Sequence, residues 1–317
     1  MHIIFRIGDW YHKWIYRFLA WLTSRFTDLT DYALTDLLLW AALFVYEIAF
    51  VAIIFTWHSG ASLADLYKVL IFVGVAMLLY GFNAFRTPVE EKMGLVIQAN
   101  LDRNEELGYV IRRLNGLSGS AKLSFKEANE RMNKSLDEFS EEVDGYQIVH
   151  SKKTKMSLFS KLLLRRRILG LMNPFFQEII VTSDLFLDAI AHEKAHLVGY
   201  AKEAEAQFVG YAFMLNGGEP LQYLAYLQRI DMLMIMFDLD TADVGRMGLN
   251  KRTIDELSSR DAIMRNECGR NSYYRKFLVS IGKRIRSAML IVFGEGDIEN
   301  AYVKDPLLMI SAYDPPK

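Results

Sequence analysis

Residues 182–211 read TSDLFLDAIAHEKAHLVGYAKEAEAQFVGY, and the centre, His192-Glu193-Lys194-Ala195-His196, sets two histidines one helical turn apart with an acid beside the first. Residues i and i+4 of a helix share a face, so both imidazoles can reach one zinc ion. Zinc lowers the pKa of a bound water from about 16 to roughly 7. A carboxylate at Glu193 is then placed to take the proton of that water and pass it to a leaving amine. Three set positions in five recur by chance, so the flanking residues must agree with this chemistry.

They do agree. Ser183 or Asp184 is a candidate N-cap, Leu185, Phe186, Ala189 and Ile190 suit a buried helix, and no proline interrupts before His196. Gly199, three residues past the second histidine, suits the left-handed residue that ends a helix and turns the chain sharply. A second helix is expected from about Lys202 to Leu215. On it Glu203 can supply a third ligand, and Gln207, on the same face, can hydrogen-bond a ligand imidazole. Glu205 lies about 200° round the helix from Glu203 and is the reserve ligand. Asp188, one turn before His192, is either a carboxylate that orients an imidazole or a surface or capping group.

These residues carry a resemblance. His192, Glu193, His196 and the helix bearing Glu203, Ala206 and Gln207 resemble the gluzincin metallopeptidases, in which a glutamate is the third zinc ligand and an Asp or Asn follows four residues later. This chain has Gln207 at that last position. The pattern is also similar to HExxHxxGxAxExEAxF of an uncharacterised family of bacterial membrane proteins, a domain of unknown function. Two further stretches carry that likeness, Gly81-Phe82-Asn83-Ala84-Phe85-Arg86-Thr87-Pro88 and Gly170 to Glu178. The resemblance covers roughly residues 30–215. It implies a zincin-like domain holding one Zn2+ per chain through His192, His196 and Glu203, with Glu193 as general base and a peptide or protein substrate. It also implies that a strand before the zinc helix, here Ile179, Ile180 and Val181, forms an edge that pairs with extended substrate.

Composition bears on the remainder. Hydrophobic residues make up 52% of the chain beside 24% charged residues, so apolar residues must be concentrated somewhere. Leu37 to Trp57 is a 21-residue run with one ionisable group, Glu47, and Val69 to Phe85 is an uncharged run of 17. Both read as transmembrane helices of a hairpin. Before them, residues 1–36 mix Trp10, Trp14, Phe18 and Trp21 with Arg6, Lys13, Arg17 and Arg25, as an interfacial amphipathic helix does, the alternative being a helix packed on the domain with its aromatics on a core face. Basic residues flank the hairpin outside its connecting loop, which predicts cytoplasmic termini in a bacterial inner membrane. A net charge of −1 argues against nucleic-acid binding, and the single Cys268 excludes an intrachain disulfide or a multi-cysteine metal site.

The acidic run from Glu127 to Asp144 reads as a solvated helix face. Residues 152–167 hold seven basic residues, a basic surface loop or a contact for anionic lipid headgroups. Leu221 to Leu239 reads as a core helix, and Tyr302 or Tyr313 is a candidate oxyanion donor. The expected fold is mainly α: an amphipathic segment (1–36), a transmembrane hairpin (37–86) and a helical zincin-like metallopeptidase domain (87–317). The expected partners are the lipid bilayer and a peptide substrate. The alternative is a non-catalytic membrane scaffold or sensor retaining a zincin fold.

Overall fold

In a computed structural model, which describes residues 2–29, 33–34, 81–120, 122–148, 150–165, 168–173, 176–268 and 303–316, capping residues open several of the helices. α1 (His2–Tyr11) continues through a π turn (His12–Tyr16) into α2 (Arg17–Asp28). A 3-10 helix (Gly81–Phe85) leads to α3 (Val89–Lys92), α4 (Arg103–Gly116) and α5 (Phe125–Asp144). Asp102 caps α4 by accepting from the N–H groups of Asn104 and Glu105, and Ser124 with Glu127 forms a capping box on α5. Then follow β1 (Thr154–Met156), α6 (Ser160–Leu164), β2 (Gly170–Asn173) and β3 (Glu178–Val181). The long helical part comprises α7 (Leu187–Leu197), α8 (Glu203–Asn216), α9 (Glu219–Met236), α10 (Thr241–Arg246) and α11 (Lys251–Cys268), and α12 (Asp305–Tyr313) closes the chain.

The three strands form one sheet in the order β1-β3-β2, with β1 parallel and β2 antiparallel to β3. All four residues of β3 are buried. This corrects the expected edge: Ile179, Ile180 and Val181 form the middle strand, and β2 is the edge beside α7. A strand covered on both faces reads as a continuous β-branched run, and that is the pattern that made it conspicuous in the sequence.

α7 and α8 form the centre of the fold, packed against the sheet, α5, α9 and α12. Arg229 of α9 is fully buried there, bonded to Glu106 of α4 at 2.6 Å and to Asp314 at 3.0 Å. Asp314 also accepts from the hydroxyls of Tyr109 (2.6 Å) and Tyr211 (2.7 Å). Asp314 is thereby tied to α4, α8 and α9.

The fold class departs from the expectation at its N-terminal end. The expected spans at 37–57 and 69–80 lie outside the described residues, and the last five residues of the second form the 3-10 helix. No helix among the described residues is long and apolar enough to cross a membrane. Two N-terminal transmembrane helices and a multi-pass location in the bacterial inner membrane are therefore withdrawn in favour of a mainly helical fold with a small sheet. The segment that precedes them is part of the domain: Tyr11, His12, Tyr16 and Ala20 are buried, while Trp10, Trp14 and Phe18 face outward. Alternation of inward and outward aromatics along a helix is what made it look interfacial.

Candidate metal centre

α7 and α8 approach closely because Gly210 has no side chain; a Cβ there would stand 3.1 Å from the backbone of Ala191 and His192. That approach brings Glu203, in the first turn of α8, to the histidines of α7. His192 Nε2 lies 3.1 Å from His196 Nε2 and 3.1 Å from Glu203 Oε2, and His196 Nε2 lies 3.4 Å from the same oxygen. Tetrahedral zinc with bonds of about 2.0–2.1 Å separates its ligand atoms by about 3.3–3.4 Å, so the triangle is close to the size such an ion spans. Among the described residues, these three form the group of His, Cys, Asp and Glu side chains whose ligand atoms converge on one point.

The end of α7 sets which nitrogen of His196 faces that point. Gly199 adopts φ +89°, and the N–H groups of Gly199 and Tyr200 bond back to the carbonyls of His196 (2.9 Å) and Ala195 (3.1 Å). This is the paired closure of a Schellman turn. It returns the Tyr200 carbonyl to the helix, where it lies 2.7 Å from His196 Nδ1. A carbonyl only accepts, so Nδ1 carries the proton and Nε2 is directed at Glu203 and His192.

Electrostatics favour positive charge at the cluster. Burial opposes ionisation of Glu203, yet the two imidazoles hold its carboxyl well below the usual range. Burial likewise disfavours the charged form of His196, but Glu203, with Glu193 adding to it, pushes it up to about 9. A site that draws a proton this strongly has the charge and geometry to exchange it for a divalent cation. Glu193 is nearly buried, and that burial raises its pKa against the opposing pull of the two histidines. The backbone of Met172, in β2, lies close enough to favour its charged form. Gly170, on the same strand, leaves space for it, since a Cβ there would come within 2.6 Å of Glu193 Cγ.

Comparison with known proteins bears on this chain as a whole. The model of a family described as "Protein of unknown function (DUF3810)" matches residues 11–285. The chain belongs to this family. No curated protein and no solved structure matches it. The DUF3810 match spans α7 and α8 and reaches back to His12 and Tyr16, so the cluster and the turn that packs beneath it both lie within the matched residues.

Other residues singled out from the DUF3810 sequence stand apart from the cluster. Gln207 donates to Met232 Sδ at 3.6 Å, and it is the Tyr200 carbonyl that holds the His196 imidazole. Glu205 is paired with Lys202 at 3.0 Å and is not in the converging group. Asp188 pairs with Arg260 of α11 at 2.9 Å. The helix opens at Leu187 after Phe186, without a side-chain cap from Ser183 or Asp184. Tyr313 accepts from Asn216 at 3.2 Å, and Tyr302 lies outside the described residues. Tyr200 and Met172 escaped the sequence reading because both act through the backbone, which has no residue signature. The one available signal was Gly199, whose turn dictates where the next carbonyl goes.

Proposed function

We propose that this chain is a zinc-dependent peptidase of gluzincin type, with His192, His196 and Glu203 holding one zinc ion and Glu193 as general base and acid. The observation that carries the reading is the convergence of His192 Nε2, His196 Nε2 and Glu203 Oε2 within 3.1–3.4 Å of one another, with Glu193 next to the first ligand. Three protein ligands leave a fourth position for water or substrate, the arrangement of catalytic rather than structural zinc. Zinc bound there would lower the pKa of a water and polarise a carbonyl. Glu193 supplies the proton relay: its raised pKa brings it nearer neutrality, where a carboxylate can both accept a proton and give it to a leaving amine nitrogen. β2, an edge strand whose Gly170 and Met172 lie against Glu193, offers an extended backbone beside the reacting point, which suits a peptide substrate.

The test is elemental analysis of purified wild type beside His196→Ala. One zinc per wild-type chain and none in the variant supports the reading, and equal, near-zero metal in both sinks it. The ligand assignment has its own check. Glu203→Ala is expected to lose zinc while Glu205→Ala retains it, since Glu205 is turned to Lys202; stripping of the metal by the second substitution alone would reverse the assignment. Gly170→Ala is expected to keep zinc and to lower turnover by about 10²-fold, because the new methyl displaces Glu193 by a fraction of its length. Metal content and peptide hydrolysis measured on the same preparation separate the two effects.

A further inference from the structure

His196 is held through the turn that follows it, and that turn is held from beneath by residues far away in the chain. Tyr16 donates to the Leu197 carbonyl at 2.7 Å, and His12 Nε2 lies 2.9 Å from the Val198 carbonyl. Both carbonyls belong to the last turn of α7, where the helix itself offers no N–H partner. Arg86 also reaches the Val198 carbonyl at 3.4 Å, and its guanidinium lies 4.6 Å from the centre of the Tyr200 ring. Behind these groups Asp144 takes two hydrogen bonds from Arg86, at 2.8 and 2.9 Å, and one from Lys92 at 2.7 Å. Asp144 is thus no part of a solvated acidic face; its side chain is 1% exposed.

We propose that His12 and Tyr16, backed by the buried Arg86–Asp144 pair, are positioning residues for the metal centre: they lock the Leu197–Tyr200 turn so that the Tyr200 carbonyl keeps His196 Nε2 aimed at the metal. The proposal rests on the metal reading above for what the turn serves. The locking itself is a matter of geometry. His12 fits against the turn so closely that a Cβ on Gly199 would stand 2.6 Å from its Nε2. Stability alone does not account for the choice of residues. Buried ions pay a desolvation cost that apolar side chains of the same volume avoid, so a buried ion pair is a weak device for stability. Its distinctive property is direction: Asp144 fixes the plane of the guanidinium, and that group and the His12 ring nitrogen together define where the Val198 carbonyl sits. Groups that orient a metal ligand from behind typically change metal affinity by about 10–100-fold when removed.

The experiment measures zinc affinity of the full chain by competition with a chelator. Tyr16→Phe keeps the ring and removes only the hydroxyl; His12→Ala removes the imidazole; His12→Gln restores an amide N–H near the position of Nε2. Tyr16→Phe and His12→Ala are expected to weaken zinc binding by about tenfold or more, and His12→Gln to recover most of that loss. Leu257→Ala, in a buried position of α11, supplies a variant with reduced Tm whose zinc affinity should not change. The visible spectrum of the cobalt-substituted protein should shift in His12→Ala and not in Leu257→Ala. Zinc affinity within twofold of wild type in both His12→Ala and Tyr16→Phe overturns the proposal. If wild type itself takes up no zinc, the metal reading has failed and the lock is judged separately, by amide exchange at Gly199 and Tyr200 in His12→Ala. Exchange there no faster than in wild type overturns the lock as well.

Discussion

Glu193→Gln is expected to bind zinc as wild type does and to hydrolyse peptides about 10²–10⁴-fold more slowly, the range that a positioned general acid and base contributes. The amide is nearly isosteric with the carboxylate, so its fit beside Gly170 is preserved. What it lacks is a lone pair basic enough to take a proton. The three ligand atoms belong to other residues and do not move. Metal content and single-turnover hydrolysis on the same sample check both halves of the statement. A variant that turned over at the wild-type rate with zinc in place would remove Glu193 from the mechanism.

The second large effect is on stability, at the residue between the two histidine turns. Lys194 is fully buried on the side of α7 facing α5, where its ammonium donates to Asn133 Oδ1 at 2.6 Å. Burial, with Lys152 adding to it, lowers its pKa to about 7, against the partial support of Asp137 and Asp28. In the unfolded chain the same amine holds its proton to about pH 10.4. Between those values the unfolded state binds more protons than the folded one, so stability rises with pH across that window and is poorest below it. Lys194→Met removes the cost. Near pH 7 it is expected to stabilise the protein by on the order of 2–4 kcal/mol, and the advantage should vanish as pH approaches 10. Urea unfolding of both proteins at several pH values measures the difference. A difference that stayed constant over the window would mean that Lys194 keeps its ordinary pKa. Zinc affinity of the variant should be unaltered, because Lys194 points away from the ligand cluster.

Much of the candidate site was legible because helical spacing is a local property. Two histidines at i and i+4 and a glycine three residues on constrain one another through backbone geometry alone. The angle between Glu203 and Glu205 on a helix says that they cannot both face one point, but not which of them does. The sheet was less legible. A β-branched run at 179–181 announced a strand but not its neighbours, and only pairing with β1 and β2 on its two sides made it central. Gln207 failed for a related reason: it shares a face with Glu203, but α9 brings Met232 to that side chain and takes it out of the cluster. Asp188 and Arg260 are 72 positions apart, and no local pattern links them.

The N-terminal segment shows the same division most clearly. Its alternating aromatics and cations are a statement about two faces of a helix, and that statement holds: Tyr11, His12 and Tyr16 are buried while Trp10, Trp14 and Phe18 are exposed. What each face meets is a different question, since a lipid surface and a protein core attract the same side chains. The sequence by itself determined the candidate ligand types, their spacing and the helices that carry them, because these depend on residues within a turn or two of each other. Only the tertiary structure decided that Glu203 closes on the histidines across Gly210, that β2 and not β3 lies at the edge, and that His12, Tyr16, Arg86 and Asp144 meet under the Gly199 turn. The first two join consecutive elements and the last joins elements far apart in the chain, but all follow from how whole faces pack and bury their polar groups rather than from any one residue's neighbours.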